Sequence, residues 1–265
     1  MNTFDLFVKA YRRLFRNGDR PGWHGNFDSW EAASRGCSGY AAPVILSKVR
    51  EALRKVCRGE AAFERDSVAF PTAEYSFPLL ASLLWIAARE GRLRVLDFGG
   101  SLGSSYFQYR RILSSIKEIS WSVVEQAAFV EAGMKEFEDE VLRFYPSIDE
   151  CRAARPSDVL LLSSVAQYLE RPHEFIDAAV RENPPYCIID RTPFIDRGRD
   201  RLTRQVVYPH VYQASYPCWF FEEAGFLAHF SARYETVLEY DALDRANLPS
   251  RFKGFLFARK DLIQR

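Results

Sequence analysis

The chain has 265 residues, 48% hydrophobic and 27% charged, an ordinary globular balance that excludes collagen-like, coiled-coil and disordered classes. Lys plus Arg (36) against Asp plus Glu (35) leaves a net charge of +1, so no global field favours nucleic acid or an anionic membrane, and any binding must be local. The five cysteines, Cys37, Cys57, Cys151, Cys187 and Cys218, are odd in number, far apart and without metal-ligand spacing, which suits a reducing compartment and implies no metal.

At the start of the chain Phe4, Phe7, Val8, Tyr11, Leu14 and Phe15 recur at helical spacing, with Lys9, Arg12, Arg13 and Arg16 off that stripe. Such a basic amphipathic helix either docks on its own domain or lets residues 1–18 touch the inner face of the cytoplasmic membrane. No secretory signal is present, so a cytoplasmic location is expected. The segment PGWHGNFDSWEAASRGCSGYAAP, rich in Gly, Ser and aromatics, reads as irregular and aromatic-anchored. Val44 to Cys57 and Pro78 to Glu90 are predicted helices, with Gly59 and Gly91 where C-terminal caps belong. The apolar run Phe77 to Ala88 is about half of the ~20 residues a membrane span needs, and reads as buried helix. Residues 1–90 are therefore expected to form a helical and aromatic extension packed on a core domain, residues 91–265.

From Leu93 the pattern becomes LRVLDFGG, SWSVVEQ, DVLLLSSV and YCIIDRTPF, apolar runs separated by helical stretches, with a weaker strand near Leu142 to Tyr145. That alternation predicts an α/β fold with a mostly parallel sheet and helices on both faces. ARYETVLEY and FKGFLFARK are expected to pair and close the sheet. The first strand runs into a glycine-rich turn, Asp97-Phe98-Gly99-Gly100-Ser101-Leu102-Gly103, where glycines let backbone N–H groups approach a ligand. Glu125 ends the second strand, well placed to accept hydrogen bonds from ribose hydroxyls at the sheet's carboxyl edge.

With these residues the sequence resembles the class I S-adenosylmethionine-dependent methyltransferases, over Leu93 to about Lys260. More narrowly, WHGNFDSWEAA, VLDFGGSLGSSYFQ, Glu125, DVLLLSSVAQYLERP, IIDRTPF and YQASYPCWFF are similar to bacterial methyltransferases encoded among surface-polysaccharide biosynthesis genes. The resemblance implies a Rossmann-like, seven-stranded sheet with a C-terminal antiparallel strand and S-adenosyl-L-methionine (SAM) as cofactor. It implies that Asp97, Gly99, Gly100, Ser101 and Gly103 shape the cofactor loop, that Glu125 with Gln126 holds the ribose, and that Ser163 and Ser164 close the pocket. Ser101 departs from the pattern, standing where many members carry glycine.

Two other readings stay open. Gly99 to Gly103 is formally G-x-S-x-G, the nucleophile elbow of α/β-hydrolases, with Asp190 and His210 downstream. An inactive cofactor-binding scaffold is the other. On the acceptor side, Asp190 is expected to end the fifth strand, followed by Arg191, whose guanidinium could grip a phosphate or carboxylate. Gln205 to Trp219 reads as one loop in which Tyr208, Tyr212, Tyr216 and Trp219 would wall a sugar. Arg197 to Arg204 reads as a solvated loop. His210 or Asp190 is the expected general base. Together these give a methyltransferase acting on an oxygen of a sugar-containing acceptor, a small molecule or a lipid-linked glycan, with the oligomeric state open.

Overall fold

The structure, a computed structural model, describes residues 20–39, 43–209 and 211–263. The amphipathic stretch of residues 1–18 and His210 lie outside them. The chain enters through β1 (Gly22–Phe27), α1 (Trp30–Ser34) and α2 (Pro43–Cys57), forms a hairpin of β2 (Phe63–Arg65) and β3 (Val68–Phe70), and continues into α3 (Phe77–Glu90). Helix α2 buries Ile45, Val49, Ala52, Leu53 and Val56, one apolar face at helical spacing. Helix α3 has proline in its first turn and ends at Gly91, left-handed at φ +70, whose N–H donates to the Ala87 carbonyl.

Five parallel strands follow: β4 (Leu93–Phe98), β5 (Ile119–Val124), β6 (Leu142–Tyr145), β7 (Val159–Ser163) and β8 (Tyr186–Ile195). They lie side by side in the order β6-β5-β4-β7-β8. Strand β12 (Arg251–Arg259) pairs antiparallel with β8, and β11 (Tyr234–Asp241) pairs antiparallel with β12. The predicted mostly parallel sheet with its antiparallel C-terminal strand is thus present, but these seven strands are part of a ten-stranded sheet.

Strand alternation sorts the apolar side chains to two faces. Val95, Trp121, Val123, Leu161, Ile188 and Leu256 pack with α2, α3, α4 (Ser104–Leu113) and α5 (Ala127–Glu136). Leu96, Val124, Leu160, Ile189 and Phe255 pack with α6 (Ile148–Ala154), α7 (Pro172–Arg181) and α8 (Glu223–Ser231). Burial on both faces is why these strands read as nearly continuous hydrophobic runs.

Two expectations are corrected. The segment after residue 20 is not wholly irregular, because β1 pairs antiparallel with β9 (Arg201–Val206). Gln205 to Trp219 is not one loop either: β9 turns back into β10 (Ser215–Glu222), and Phe221 and Glu222 of β10 pair with Phe194 and Ile195 at the end of β8. Residues 20–90 therefore carry three strands as well as helices. The arginine-rich stretch belongs in part to β9, where Arg201 donates to the Gly25 carbonyl and Arg204 to those of Ala33 and Arg35. These guanidiniums satisfy backbone acceptors of the entering segment, which explains why the charge is retained in a strand. The short α9 (Lys260–Ile263) follows β12. Among the described residues no helix is long and apolar enough to cross a membrane.

Candidate active site

Asp97 and Ser163 lie at the carboxyl ends of β4 and β7, Asp190 lies beside Ser163 on the neighbouring β8, and strand parity puts all three on the face occupied by α2, α3 and α4. Asp97 is 1% exposed, and its Oδ2 accepts from Trp121 Nε1 at 2.9 Å. The glycine loop folds directly over it: a Cβ on Gly100 would stand 2.5 Å from the Asp97 carboxyl carbon. Gly99, at φ +72, faces Val165 with no room for a side chain, and its N–H ties the loop to the Val124 carbonyl. Gly103, at φ +86, caps α4. Ser101 adopts φ +56 despite its side chain, and its Oγ is buried without a hydrogen-bond partner. The departure from glycine is accommodated as local strain.

Glu125 follows β5 and is half-buried. Its carboxylate accepts from the Gln126 N–H at 2.7 Å and from the Ser101 N–H, so it braces the loop from the far side. Burial pushes the Asp97 carboxyl up to about 7, against the Trp121 hydrogen bond and helped by the charges of Glu125 and Asp190. Burial likewise raises Glu125 to about 7. Among the described residues neither forms an ion pair, and neither does Asp190.

Asp190 does not end its strand. β8 continues to Ile195, and Asp190 and Arg191 together oppose the single residue Gly254 of β12. The resulting bulge gives Arg191 a φ of +51. Gly254 is obligatory there because the Tyr240 ring lies against its backbone. The Tyr240 hydroxyl donates to Asp190 Oδ1 at 2.9 Å and Ser163 Oγ donates to Oδ2 at 2.8 Å, while the Ser164 N–H donates to the Asp190 carbonyl. Arg191 turns the other way. Its Nη2 sits 2.6 Å from Asp66 Oδ2 and 2.8 Å from Asp244 Oδ1, so both faces of the guanidinium are taken and it is not free to clamp an anion.

A cavity of about 410 Å³ joins these groups, within the ~300–1,000 Å³ usual for small-molecule sites. The glycine loop, Ser163, Ser164, Asp190 and Arg191 line one part, and Tyr208 and Tyr212 from the β9–β10 turn, with Tyr216 of β10, line another. Tyr212 and Tyr216 are buried with their hydroxyls 3.2 Å apart, and Tyr208 is exposed at the mouth. Trp219 does not line the cavity; its indole donates to the Leu169 carbonyl. Gly103, Glu125 and Gln126 support the loop from outside the lining.

Sequence reasoning missed the β2–β3 hairpin, which brings Glu64, Asp66 and Ser67 into the same cavity. Its turn places Asp66 and Ser67 at φ +52 and +69, a geometry that ordinarily demands Asn-Gly. Among the described residues six non-glycine residues have positive φ, and all but Asn183 line this cavity. Strain that collects at one place is held there by surrounding contacts and marks a functional site. Among the described residues Ser101 Oγ meets no imidazole, and His173 and His229 bond to each other, to Asp200 and to Asp177; His210, the histidine of the hydrolase reading, lies outside them.

No family model matches the sequence, and no curated protein matches it. Among solved structures, the N-terminal domain of EvdMO1, crystallised in the presence of SAH and D-fucose, superposes with a TM-score of 0.50 at 14% identity, over 80% of this chain and 97% of that one. The fold is the class I methyltransferase fold. Weaker matches are 1,6-didemethyltoxoflavin-N1-methyltransferase of Burkholderia thailandensis (TM-score 0.44, 15% identity, 90% of this chain and 93% of that one) and magnesium protoporphyrin IX methyltransferase of Synechocystis PCC 6803 (TM-score 0.46, 12% identity, 80% and 84%). Within the methyltransferase fold, the glycine loop and the carboxyl ends of β4, β7 and β8 form the crevice where open α/β sheets bind ligands.

Proposed function

We propose that the protein is a SAM-dependent methyltransferase that methylates a hydroxyl of a sugar-containing acceptor. The observation that carries this reading is the cluster of Asp97, Asp190 and Glu125 around the glycine loop, carboxyls raised by burial and in no ion pair among the described residues. Uncompensated buried carboxyls are costly, and a cationic ligand offsets that cost. SAM carries a sulfonium and an ammonium, and the unpartnered Ser101 Oγ offers one more polar contact.

The bound cofactor would supply an electrophilic methyl group. The chain's own work is to place the other reactant. Gly99 and Gly100 bring backbone close to the ligand, Glu125 at the end of β5 fixes the loop by accepting from the Gln126 N–H, and Asp190 fixes Ser163 and Tyr240 through their hydroxyls. The strained, over-determined lining keeps these groups in place before ligand arrives, so most of the rate should come from positioning.

Arg191 is committed to Asp66 and Asp244, which argues for a neutral reactive end on the acceptor. Tyrosines, with flat faces and polar hydroxyls, suit a carbohydrate, and the D-fucose in the EvdMO1 domain crystals points the same way. Surface-glycan synthesis, on a small or lipid-linked acceptor, rests on the sequence resemblance. A melting curve tests the central reading: SAM or SAH at 100 times its Kd stabilises by about 2.7 kcal/mol, or ~5–10 °C in a chain of this size. No shift with either ligand at millimolar concentration would end it.

A further inference from the structure

We propose that Glu64, on the hairpin outside the methyltransferase sheet, is the general base that takes the acceptor's hydroxyl proton. The inference rests on the methyltransferase reading and adds a catalytic residue to it. Glu64 is 2% exposed and lines the cavity. Its Oε1 accepts from the Ser67 N–H at 2.7 Å and its Oε2 from the hydroxyl of Ser104. Each oxygen keeps a second lone pair for a ligand proton.

Its place in the cavity is what singles it out. Ser104 opens α4 immediately after the glycine loop, so one end of Glu64's contacts is at the cofactor loop. The charged groups acting on it are Asp66 and Arg191, and its charge is felt by Tyr212 on the tyrosine wall. Glu64 therefore stands at the seam between the two halves, where the reactants must meet. Asp97 and Asp190 instead act on each other; Asp97 is covered by Gly100 and Trp121, and Asp190 is held by Tyr240 and Ser163. Arg191 forms no ion pair with Glu64, being paired to Asp66 and Asp244. The strained Asp66-Ser67 turn fixes the carboxyl: Ser67 donates to Glu64 while Asp66 is anchored to Arg191.

In the step, the hydroxyl proton passes to a Glu64 oxygen as the oxygen–methyl bond forms. The carbon–sulfur bond breaks with its electron pair going to sulfur, the acceptor leaves as a methyl ether, and solvent later removes the proton from Glu64.

The test uses Glu64→Gln, which keeps shape and hydrogen-bonding capacity, with Glu64→Asp as a second variant that retains a carboxyl. In apo protein labelled with 13C at glutamate carboxyls, Glu64→Gln should delete one resonance that titrates near pH 7, where burial places Glu64. The SAM-induced melting shift should be unchanged. Release of SAH with a panel of methyl hexosides should fall at least a hundredfold, and the acidic limb of the pH–rate profile should vanish in Glu64→Gln and survive, at a lower rate, in Glu64→Asp. An unchanged glutamate titration, full activity, or loss of the acidic limb in His210→Ala rather than Glu64→Gln overturns the assignment. Loss of the SAM shift in Glu64→Gln also overturns it, by making Glu64 a cofactor-holding group. Absence of that shift in the native protein sinks the methyltransferase reading itself.

Discussion

Gly100→Ala is expected to yield a folded protein whose melting temperature no longer responds to SAM or SAH. The new Cβ would lie 2.5 Å from both the carboxyl carbon and Oδ2 of Asp97. Asp97 cannot swing aside, because Oδ2 is bonded to Trp121 Nε1 and the side chain is enclosed. Either the loop lifts or the carboxyl is displaced, and both break the arrangement that meets the ligand. Overpacking of this kind costs about 1–3 kcal/mol of stability, which a chain of this size survives. A hundredfold loss of affinity, about 2.7 kcal/mol, is enough to erase the shift. Gly36→Ala is the control: Gly36 is left-handed, at φ +75, which Gly100 is not, and has nothing within 4 Å, so this variant carries backbone strain without the clash and should keep the SAM response. A Gly100→Ala protein that binds SAM with native affinity would mean that the loop does not form the cofactor site.

The sheet was legible because its strands are buried on both faces, so DVLLLSSV and YCIIDRTPF stand out from the polar helices between them. The glycine loop was legible because close approach leaves few residue choices at 99, 100 and 103. The remaining strands hid their character. β9, RLTRQV, carries two arginines whose charge is spent on backbone carbonyls of the entering segment, and β10, SYPCWFFE, contains Pro217, ordinarily a strand breaker. β2 and β3 have three residues each, too short for alternation to register, and their turn lacks the glycine that would announce it. Nothing in FERDSVAF distinguishes Glu64 from any other charged residue of the chain. Only the stacking of Phe63 on Phe70, with ring centroids 4.7 Å apart, would have hinted that the hairpin closes with Glu64 turned inward. Arg191 illustrates the opposite error. As a lone arginine at a strand end it invited an anion, and the two aspartates that occupy it come from positions 125 and 53 residues away.

Asp97→Asn is expected to be more stable than the native protein at pH 8 and equal to it near pH 4, while losing SAM. The Asp97 carboxyl rises from 3.8 to about 7 on folding, chiefly through burial. A carboxyl raised in this way binds a proton in the folded state where the unfolded chain has released it. Its contribution to stability is therefore intact below about pH 4, declines as pH rises, and is gone above about pH 7. Three units at about 1.4 kcal/mol each set the scale at on the order of 4 kcal/mol. Asparagine has no such titration, yet its amide oxygen can still accept from Trp121, so the variant escapes the loss. The cofactor acts in the opposite direction: a cationic ligand favours the ionised carboxyl, so SAM affinity should rise with pH up to about 7 and then level off. Saturating SAM should flatten the native protein's decline in melting temperature between pH 5 and 8. Melting curves of both proteins at pH 4, 6 and 8, with and without SAM, decide the matter. Parallel pH dependence in native and Asp97→Asn would show that Asp97 is already ionised and compensated in the apo protein, and the site's affinity for a cation would need another source.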